Sequence, residues 1–296
     1  MKCFYHNDLD GKCSAAVVAR FEKNYSSIDY FEVDYRNNLP LDCVANGEKV
    51  YIVDYAISKA SAWQLDCLIN EKNCDIVWID HHTTSVNLEN QAGFTWLSSI
   101  GGIRSEEFSG AALTYMYLYS AGIDSIPYAV KLVSDYDRWE FKHDPDTTLF
   151  KIGIDCVPHD ALDGIWLDLL SDIDEDASGR SPVLLSLLEK GQTIKDYIDI
   201  ENTYHRNSYA YETMVGGVKC LAINRKSNSW IFGEKYGDYP LVMVYAFDGV
   251  LWNFTIYSAD TNIDCSKIAE SYGGGGHTGA AGFTLDNMPF LKESGS

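Results

Sequence analysis

The sequence predicts an α/β protein in which an N-terminal domain, with a mostly parallel sheet flanked by helices, is linked by a long helix to a smaller α+β C-terminal domain. Three observations lead there. Short, nearly continuous apolar runs such as Lys49–Val53 and Asp75–Ile79 alternate with helical stretches, the pattern of strands buried on both faces. A single long helical run, Pro182–Tyr211, opens on a proline, which suits a first turn because its missing amide has no intrahelical partner to lose. After that run the chain changes character, with several strand-like segments and a run of four glycines.

Taken in order, Lys2–Tyr5 reads as a strand and Cys13–Lys23 as a helix, followed by strands at Tyr30–Asp34 and Lys49–Val53. Ser58 is a suitable N-cap for a helix reaching about Asn70, because its hydroxyl can accept from a first-turn amide. Asp75–Ile79 is the next strand. From Phe108 to Leu170 the pattern is helical, with Ala111–Tyr119 and Tyr128–Val133 as its clearest parts. Ser171–Ser181, rich in Asp, Ser and Gly, reads as a surface break. Beyond the long helix, Val218–Ile223, Leu241–Phe247 and Leu251–Tyr257 read as strands, Asp264–Ser271 as a capped helix and Gly273–Gly276 as a loop. The expected domains are residues 1–181, a linker helix over 182–211, and a second domain over 212–296.

Composition narrows the function. Lys and Arg total 23 against 43 Asp and Glu, a formal net charge of -20. Tracking of long nucleic acid is disfavoured, since that affinity comes mostly from cations neutralising phosphates. A small anionic substrate remains compatible if divalent cations reverse the local field. The cysteines at 3, 13, 43, 67, 74, 156, 220 and 265 form no CxxC pair, which disfavours a zinc ribbon or a disulfide scaffold. No signal segment opens the sequence and no apolar run approaches the roughly 20 residues that span a bilayer. The expectation is a cytoplasmic protein with reduced thiols and no membrane partner.

The chemistry-bearing residues share a position. Lys2–Tyr5 runs into His6-Asn7-Asp8-Leu9-Asp10-Gly11, Lys49–Val53 into Asp54, and Asp75–Ile79 into Asp80-His81-His82. In an open parallel sheet, ligands bind beyond the carboxyl ends of the strands. One Asp after a strand is most simply a turn residue or helix cap, but three strands delivering acids and imidazoles to one edge point to a metal site. Carboxylate and imidazole without thiolate suit Mn²⁺, with Mg²⁺, Co²⁺ or Zn²⁺ as alternatives. So many carboxylates would repel one another without cations. Two ions sharing a bridging carboxylate, about 3.5–4 Å apart, would relieve them and could hold an in-line attack on phosphorus.

The set His6-Asn7-Asp8-Leu9-Asp10-Gly11, Asp54, Asp80-His81-His82 and Asp135 resembles the four successive motifs of the DHH phosphoesterases. The segment Gly273-Gly274-Gly275-Gly276-His277-Thr278-Gly279-Ala280-Ala281-Gly282 resembles the signature of the C-terminal domain associated with them. The resemblance implies that His6, Asp8 and Asp54 hold one ion and that Asp10, Asp54, His81 and Asp135 hold the other. It also implies that Asp80 orients its neighbours, that His82 faces the substrate phosphate, and that the ions activate a water. By the same resemblance, Gly274, Gly275, Gly276 and His277 grip the part of the substrate distal to the scissile phosphate. Many members carry an arginine where Tyr257 stands here, so Arg225, Arg104 and Arg138 are the candidates for a replacement phosphate contact.

Read without the resemblance, the glycine run follows a helix instead of preceding one, which excludes a dinucleotide-binding or P-loop arrangement. Its backbone can approach a phosphate closely, although a helix-terminating turn would look similar. His143, His159 and His205 share no pattern and read as surface or structural, Asp172–Asp176 as a solvated loop, and the tyrosines at 115, 117 and 119 as faces of one helix.

The expected function is hydrolysis of short oligonucleotides or linear dinucleotides to nucleoside monophosphates, with two divalent ions, Mn²⁺ foremost. The second domain would then measure substrate length. Alternatives are a pyrophosphatase or exopolyphosphatase, a cyclic-dinucleotide phosphodiesterase, or a catalytically silent nucleotide-binding module. The sequence leaves the oligomeric state open, a homodimer included.

Overall fold

The structure, a computed structural model, describes residues 1–22, 28–171 and 180–291. It separates into two compact units, Met1–Ile194 and Lys195–Ser296.

The first unit is built on four parallel strands, β1 (Lys2–His6), β2 (Asp29–Val33), β3 (Lys49–Val53) and β4 (Asp75–Ile79), in the order β2-β1-β3-β4. Alternation sends the side chains of each strand to two different cores. Phe4, Val50, Ile52, Ile76 and Trp78 pack with Leu65, Leu68, Leu88 and Leu97 on one face. Cys3, Tyr5, Tyr51, Val53, Val77 and Ile79 pack with Ala15, Val18 and Leu113 on the other. The sheet is therefore covered on both sides, as its continuous apolar runs require.

The helices are α1 (Leu9–Glu22), α2 (Trp63–Asp66), α3 (Thr83–Glu89), α4 (Gly110–Tyr119), α5 (Tyr128–Asp137), α6 (Asp146–Ile154), α7 (Ile165–Leu169) and the long α8 (Pro182–Tyr209). A separate core joins α1, α4, α5 and α6 to Leu184, Leu187 and Leu188 of α8. Ser58 does not cap α2. Its amide donates to Ser61 Oγ at 2.9 Å, so the two serines hold a turn and the helix starts at Trp63. Past Asp66 the chain widens into a π turn over Cys67–Glu71. Lys23 and most of the Ser171–Ser181 break, including the Asp172–Asp176 run, lie outside the described residues.

The second unit holds β5 (Tyr211–Val215), β6 (Val218–Asn224), β7 (Leu241–Phe247), β8 (Trp252–Tyr257), α9 (Cys265–Glu270), β9 (Gly275–His277) and β10 (Ala280–Leu285). The strands form one sheet in the order β5-β6-β7-β8-β10-β9, with β6 and β7 parallel and the other pairs antiparallel. Cys265 and Ala269 of α9 pack with Phe290 in the core on one face. On the other, Ile231 and Phe232 cover Ile223, Val242 and Val244. Asp264 caps α9, accepting from the amides of Ser266 and Lys267. Helix α8 stops at Tyr209 because Tyr211 already pairs with Ala222 in the sheet. Among the described residues no helix is long and apolar enough to cross a membrane.

Candidate metal centre

The strand order reverses between β1 and β3, because the chain forms β2 on one side of β1 and then crosses to the other for β3. That reversal opens a crevice at the carboxyl ends of the strands. His6 ends β1, Asp54 follows β3, and Asp80, His81 and His82 follow β4. The sheet thus delivers all of them to one edge.

Local geometry fixes each carboxylate. Asp8 precedes α1, and its Oδ1 accepts from the Gly11 amide at 2.9 Å while Oδ2 lies 2.7 Å from His6 Nδ1. Asp10, buried in the first turn, accepts from Ser109 Oγ at 2.7 Å and from the amides of Gly110 and Ala111 at 2.6 and 3.0 Å. It thereby ties α1 to the amino end of α4, where a negative charge is favoured. Asp54 is bent into the left-handed region, with φ of 54°, which is uncommon outside glycine and tends to occur where surrounding structure enforces it. Its side chain is 1% exposed, and neither oxygen accepts a hydrogen bond. Gly110 makes room for it, since a Cβ there would stand 2.6 Å from Asp54 Cβ.

The imidazoles close around this carboxylate. His81 Nε2 lies 3.2 Å from Asp54 Oδ1, 3.4 Å from Asp137 Oδ2 and 3.9 Å from Asp10 Oδ2, and His6 Nδ1 lies 3.9 Å from Asp54 Oδ2. His82 Nδ1 is 2.7 Å from Oδ1 of the fully buried Asp80, which leaves Nε2 as the remaining ring nitrogen. Among the described residues, three sets have ligand atoms within 4.8 Å of one another: His6, Asp8 and Asp54; Asp10, His81 and Asp137; and Asp54, His81 and His82.

The electrostatics are those of a site short of positive charge. Burial first, then the charges of Asp10, Asp8, Asp80 and Asp137, push the Asp54 carboxyl far above the ordinary carboxylate range. Burial and the charges of Asp10 and Asp8 push Asp137 up to about 8. Burial holds His81 below the ordinary imidazole value against the pull of Asp10, and the neutral imidazole is the form that binds metal. For His82, burial opposes the charged form, but the hydrogen bond and charge of Asp80 outweigh it and the pKa rises. An orphaned buried carboxylate among acids and neutral imidazole is the donor set of a hard or borderline divalent cation.

Asp135 requires a correction. The structure places Asp137, not Asp135, beside His81. Asp135 is buried on another side of α5, where it accepts from the amides of Lys142 and His143 at 2.9 and 3.0 Å and from the Thr147 hydroxyl. Burial works against its charge, but these donors prevail and hold its pKa below the usual value. It organises the chain that follows α5. Sequence reading also missed Tyr35. Its ring lies 5.0 Å from that of His6 and 6.2 Å from that of His82, stacks on Tyr55 at 5.0 Å, and is 52% exposed. Nothing in the residues around Tyr35 signals that placement, because it depends on where β2 ends.

In the second unit, the predicted loop is in part a strand, since Gly275 and His277 pair with Gly282 and Ala280 of β10. Gly274 is fixed by packing, because a Cβ there would stand 2.1 Å from Gly282 O. Gly276 has φ of 149° and a Cβ there would stand 2.6 Å from Ala281 Cα. Gly275 faces open space, and His277 is exposed. Of the candidate replacement arginines, Arg104 is bound to Glu89 and to the Trp78 carbonyl, and Arg138 to Glu140 and the Glu106 carbonyl.

Fold and site together define an α/β protein whose switch-point crevice can hold divalent metal. Residues 3–132 match the DHH family, N-terminal domain. Over that span the chain is similar to the DHH family. It is 24% identical over 296 residues to the oligoribonuclease NrnB of Bacillus subtilis (strain 168), a match covering 95% of this chain and 72% of that protein. Among solved structures it is similar to PggH, a pGpG-specific phosphodiesterase from Vibrio cholerae, with a TM-score of 0.55 and 13% identity over 96% of this chain and 93% of that one. It is also similar to RecJ from Thermus thermophilus in complex with Mn²⁺, with a TM-score of 0.51 and 15% identity over 96% of this chain and 49% of that one. At these identities the structural likenesses establish the fold.

Proposed function

We propose that this chain hydrolyses the phosphodiester bonds of short oligonucleotides or linear dinucleotides to nucleoside monophosphates, with two divalent ions, Mn²⁺ foremost. The observation that carries the reading is Asp54, a buried carboxylate without a hydrogen-bond donor that belongs both to a set with His6 and Asp8 and to a set with His81 and His82. One carboxylate reaching two ligand sets suits a bridge between two ions.

In this reading His6, Asp8 and Asp54 hold one ion, and Asp10, Asp54, His81 and Asp137 hold the other. Bound ions would supply Lewis acidity and lower the pKa of a water. Asp80 fixes the orientation of His82, as groups behind a reactive imidazole commonly do. Burial opposes the charged form of His82, but Asp80 raises its pKa, which favours a protonated ring that can clamp the phosphate or donate a proton to the leaving oxygen. A cavity of about 460 Å³ lined by Asp8, Asp10, Asp137, Trp139 and Lys151 adjoins the cluster. Another of about 600 Å³, lined by Tyr35, Arg36, Asn37, Tyr55 and His82, adjoins it at His82. Both offer aromatic and polar groups to the nucleosides flanking a scissile phosphate. Residues 1–181 would carry the chemistry, 182–211 the link, and 212–296 the substrate grip through Gly274, Gly275, Gly276 and His277. The names of NrnB and PggH, an oligoribonuclease and a phosphodiesterase for a linear dinucleotide, support short substrates, as does the net charge of -20.

The test is turnover of a dinucleotide, a cyclic dinucleotide, pyrophosphate and a long single strand, each with Mn²⁺. The dinucleotide should be cleaved fastest. Preferential cleavage of pyrophosphate, or no cleavage of any of the four, would overturn the proposal.

A further inference from the structure

The turn that follows α5 carries an aromatic ring to the metal cluster on a strained backbone. Asp137 ends α5, and Trp139 stands two residues on. Trp139 and Phe141 both lie in the left-handed region, with φ of 57° and 51°. That conformation is an outlier for bulky side chains, and such strain persists only where surrounding structure enforces it, often at a site. Here the enforcing contacts are visible. The Trp139 amide donates to the Tyr136 carbonyl and the Glu140 amide to the Asp135 carbonyl, at 3.0 Å each. The Glu140 carboxylate, between the two strained residues, holds Arg138 at 3.0 Å and Lys142 at 2.6 Å.

Packing does not account for the ring so held. A strained turn that buried its indole would serve the core, yet Trp139 is 58% exposed. Tyr136 and Phe141 contact it with centroids 5.5 and 4.8 Å away, and both pairs are T-shaped, so neither neighbour stacks on the indole. The ring lines the cavity of about 460 Å³ that also holds Asp8, Asp10 and Asp137, a volume in the range of small-molecule sites. Two cations lining the same cavity are engaged by acids, Lys12 by Asp160 at 2.9 Å and Lys151 by Asp155. Beyond the metal ligands, the cavity therefore offers an oriented aromatic surface in place of a further anion site. A nucleobase is the substituent that matches, because every base has a π-face that gains from stacking on an aromatic ring.

We infer that Trp139 is the residue by which the centre selects phosphate esters that carry a nucleobase, stacking the base of the nucleotide whose phosphate meets the metal cluster. The inference rests on the proposed function for the engagement of phosphate at that cluster. A nucleoside 5′-monophosphate and ribose 5-phosphate, which share sugar and phosphate, would be titrated by calorimetry into the full chain with Mn²⁺, a readout independent of turnover. The wild type should prefer the nucleotide by about tenfold or more. Trp139→Ala should bind both ligands alike, and Trp139→Phe should retain part of the preference because a smaller ring still stacks. The ratio of two ligands separates the effect from a general loss of fold or metal, which would weaken both. No preference in the wild type, or an intact preference in Trp139→Ala, would overturn the inference. In the second case, loss of the preference in Tyr35→Ala would move the base to the cavity beside His82. Loss of both ligands in Trp139→Ala and Trp139→Phe alike would make the residue structural and overturn the inference as well. Failure of the proposed hydrolysis would show separately, as selective nucleotide binding without turnover of a dinucleotide.

Discussion

The strand-end crevice of the first unit and the glycine strand of the second are both made of conspicuous residues, yet physical necessity explains them differently. In the crevice, Asp54 is buried without a donor and Asp137 is pushed up to about 8 by burial and by Asp10 and Asp8. Nothing in the packing requires so many acids together, and cations are what would relieve them. In the glycine strand, Gly274 and Gly276 are required by the close approach of β10, and only Gly275 and His277 remain open to a ligand. A motif can therefore be conspicuous for chemistry in one place and for backbone shape in another. Electrostatic stress without a protein partner is the sign that separates the two.

The largest effects should sharpen the contrast inside the crevice. His82→Ala should lower turnover by about 10²–10⁴-fold, the usual worth of a positioned acid or base, while bound metal stays near normal. His81→Ala should lose metal as well. Metal analysis beside steady-state rates checks the split, and equal metal loss in both variants would contradict it.

Next comes Gly110→Ala. The added Cβ would press on Asp54 Cβ and Oδ1 at 2.6 and 2.7 Å, and small misplacements at a reacting centre can cost about a hundredfold. Gly275→Ala, where a Cβ meets nothing within 4 Å, should leave the melting temperature unchanged. Normal turnover in Gly110→Ala would show that Asp54 tolerates displacement.

His277→Ala should reduce dinucleotide hydrolysis by about tenfold while sparing a small activated phosphodiester, since binding energy away from the reacting bond serves orientation at it. Equal effects on both substrates would remove His277 from substrate binding.

The smallest effect on rate should come from Asp135→Ala, which should retain metal and lose about 1–3 kcal/mol of stability by stranding buried donors. Because the Asp135 carboxyl is held below its ordinary value, its stabilisation is present above the unfolded pKa and lost as pH falls through the folded one. The gap in denaturation midpoint between wild type and variant should therefore close in acid. Metal loss without destabilisation would restore Asp135 to the ligand set.

Much of this was legible in the residues. The α/β architecture followed from apolar runs, and Asp54, Asp80, His81 and His82 from their position after strands, because strand ends can be read locally. The choice of Asp137 over Asp135 could not be read locally. The apolar pattern of α5 fades at Val133, although the helix runs to Asp137. Two residues two apart on a helix do not share a face, and what claims Asp135 is Thr147 together with the Lys142 and His143 amides, set by the path of the chain after the helix. Ser58 misled because a serine can bond another serine as readily as a helix amide. Gly273–Gly276 read as a loop because its strand character exists only through pairing with β10.

The central claim is that Asp54 joins two ion sites into one. Its most direct measurement is Mn²⁺ binding to the full chain, with stoichiometry read by calorimetry and elemental analysis for wild type and Asp54→Ala, and folding checked by circular dichroism. Two ions per chain in the wild type, falling to one or none in a folded Asp54→Ala, is the predicted result. A wild type that binds a single ion, or a folded Asp54→Ala that still binds two with unchanged affinity, would contradict it.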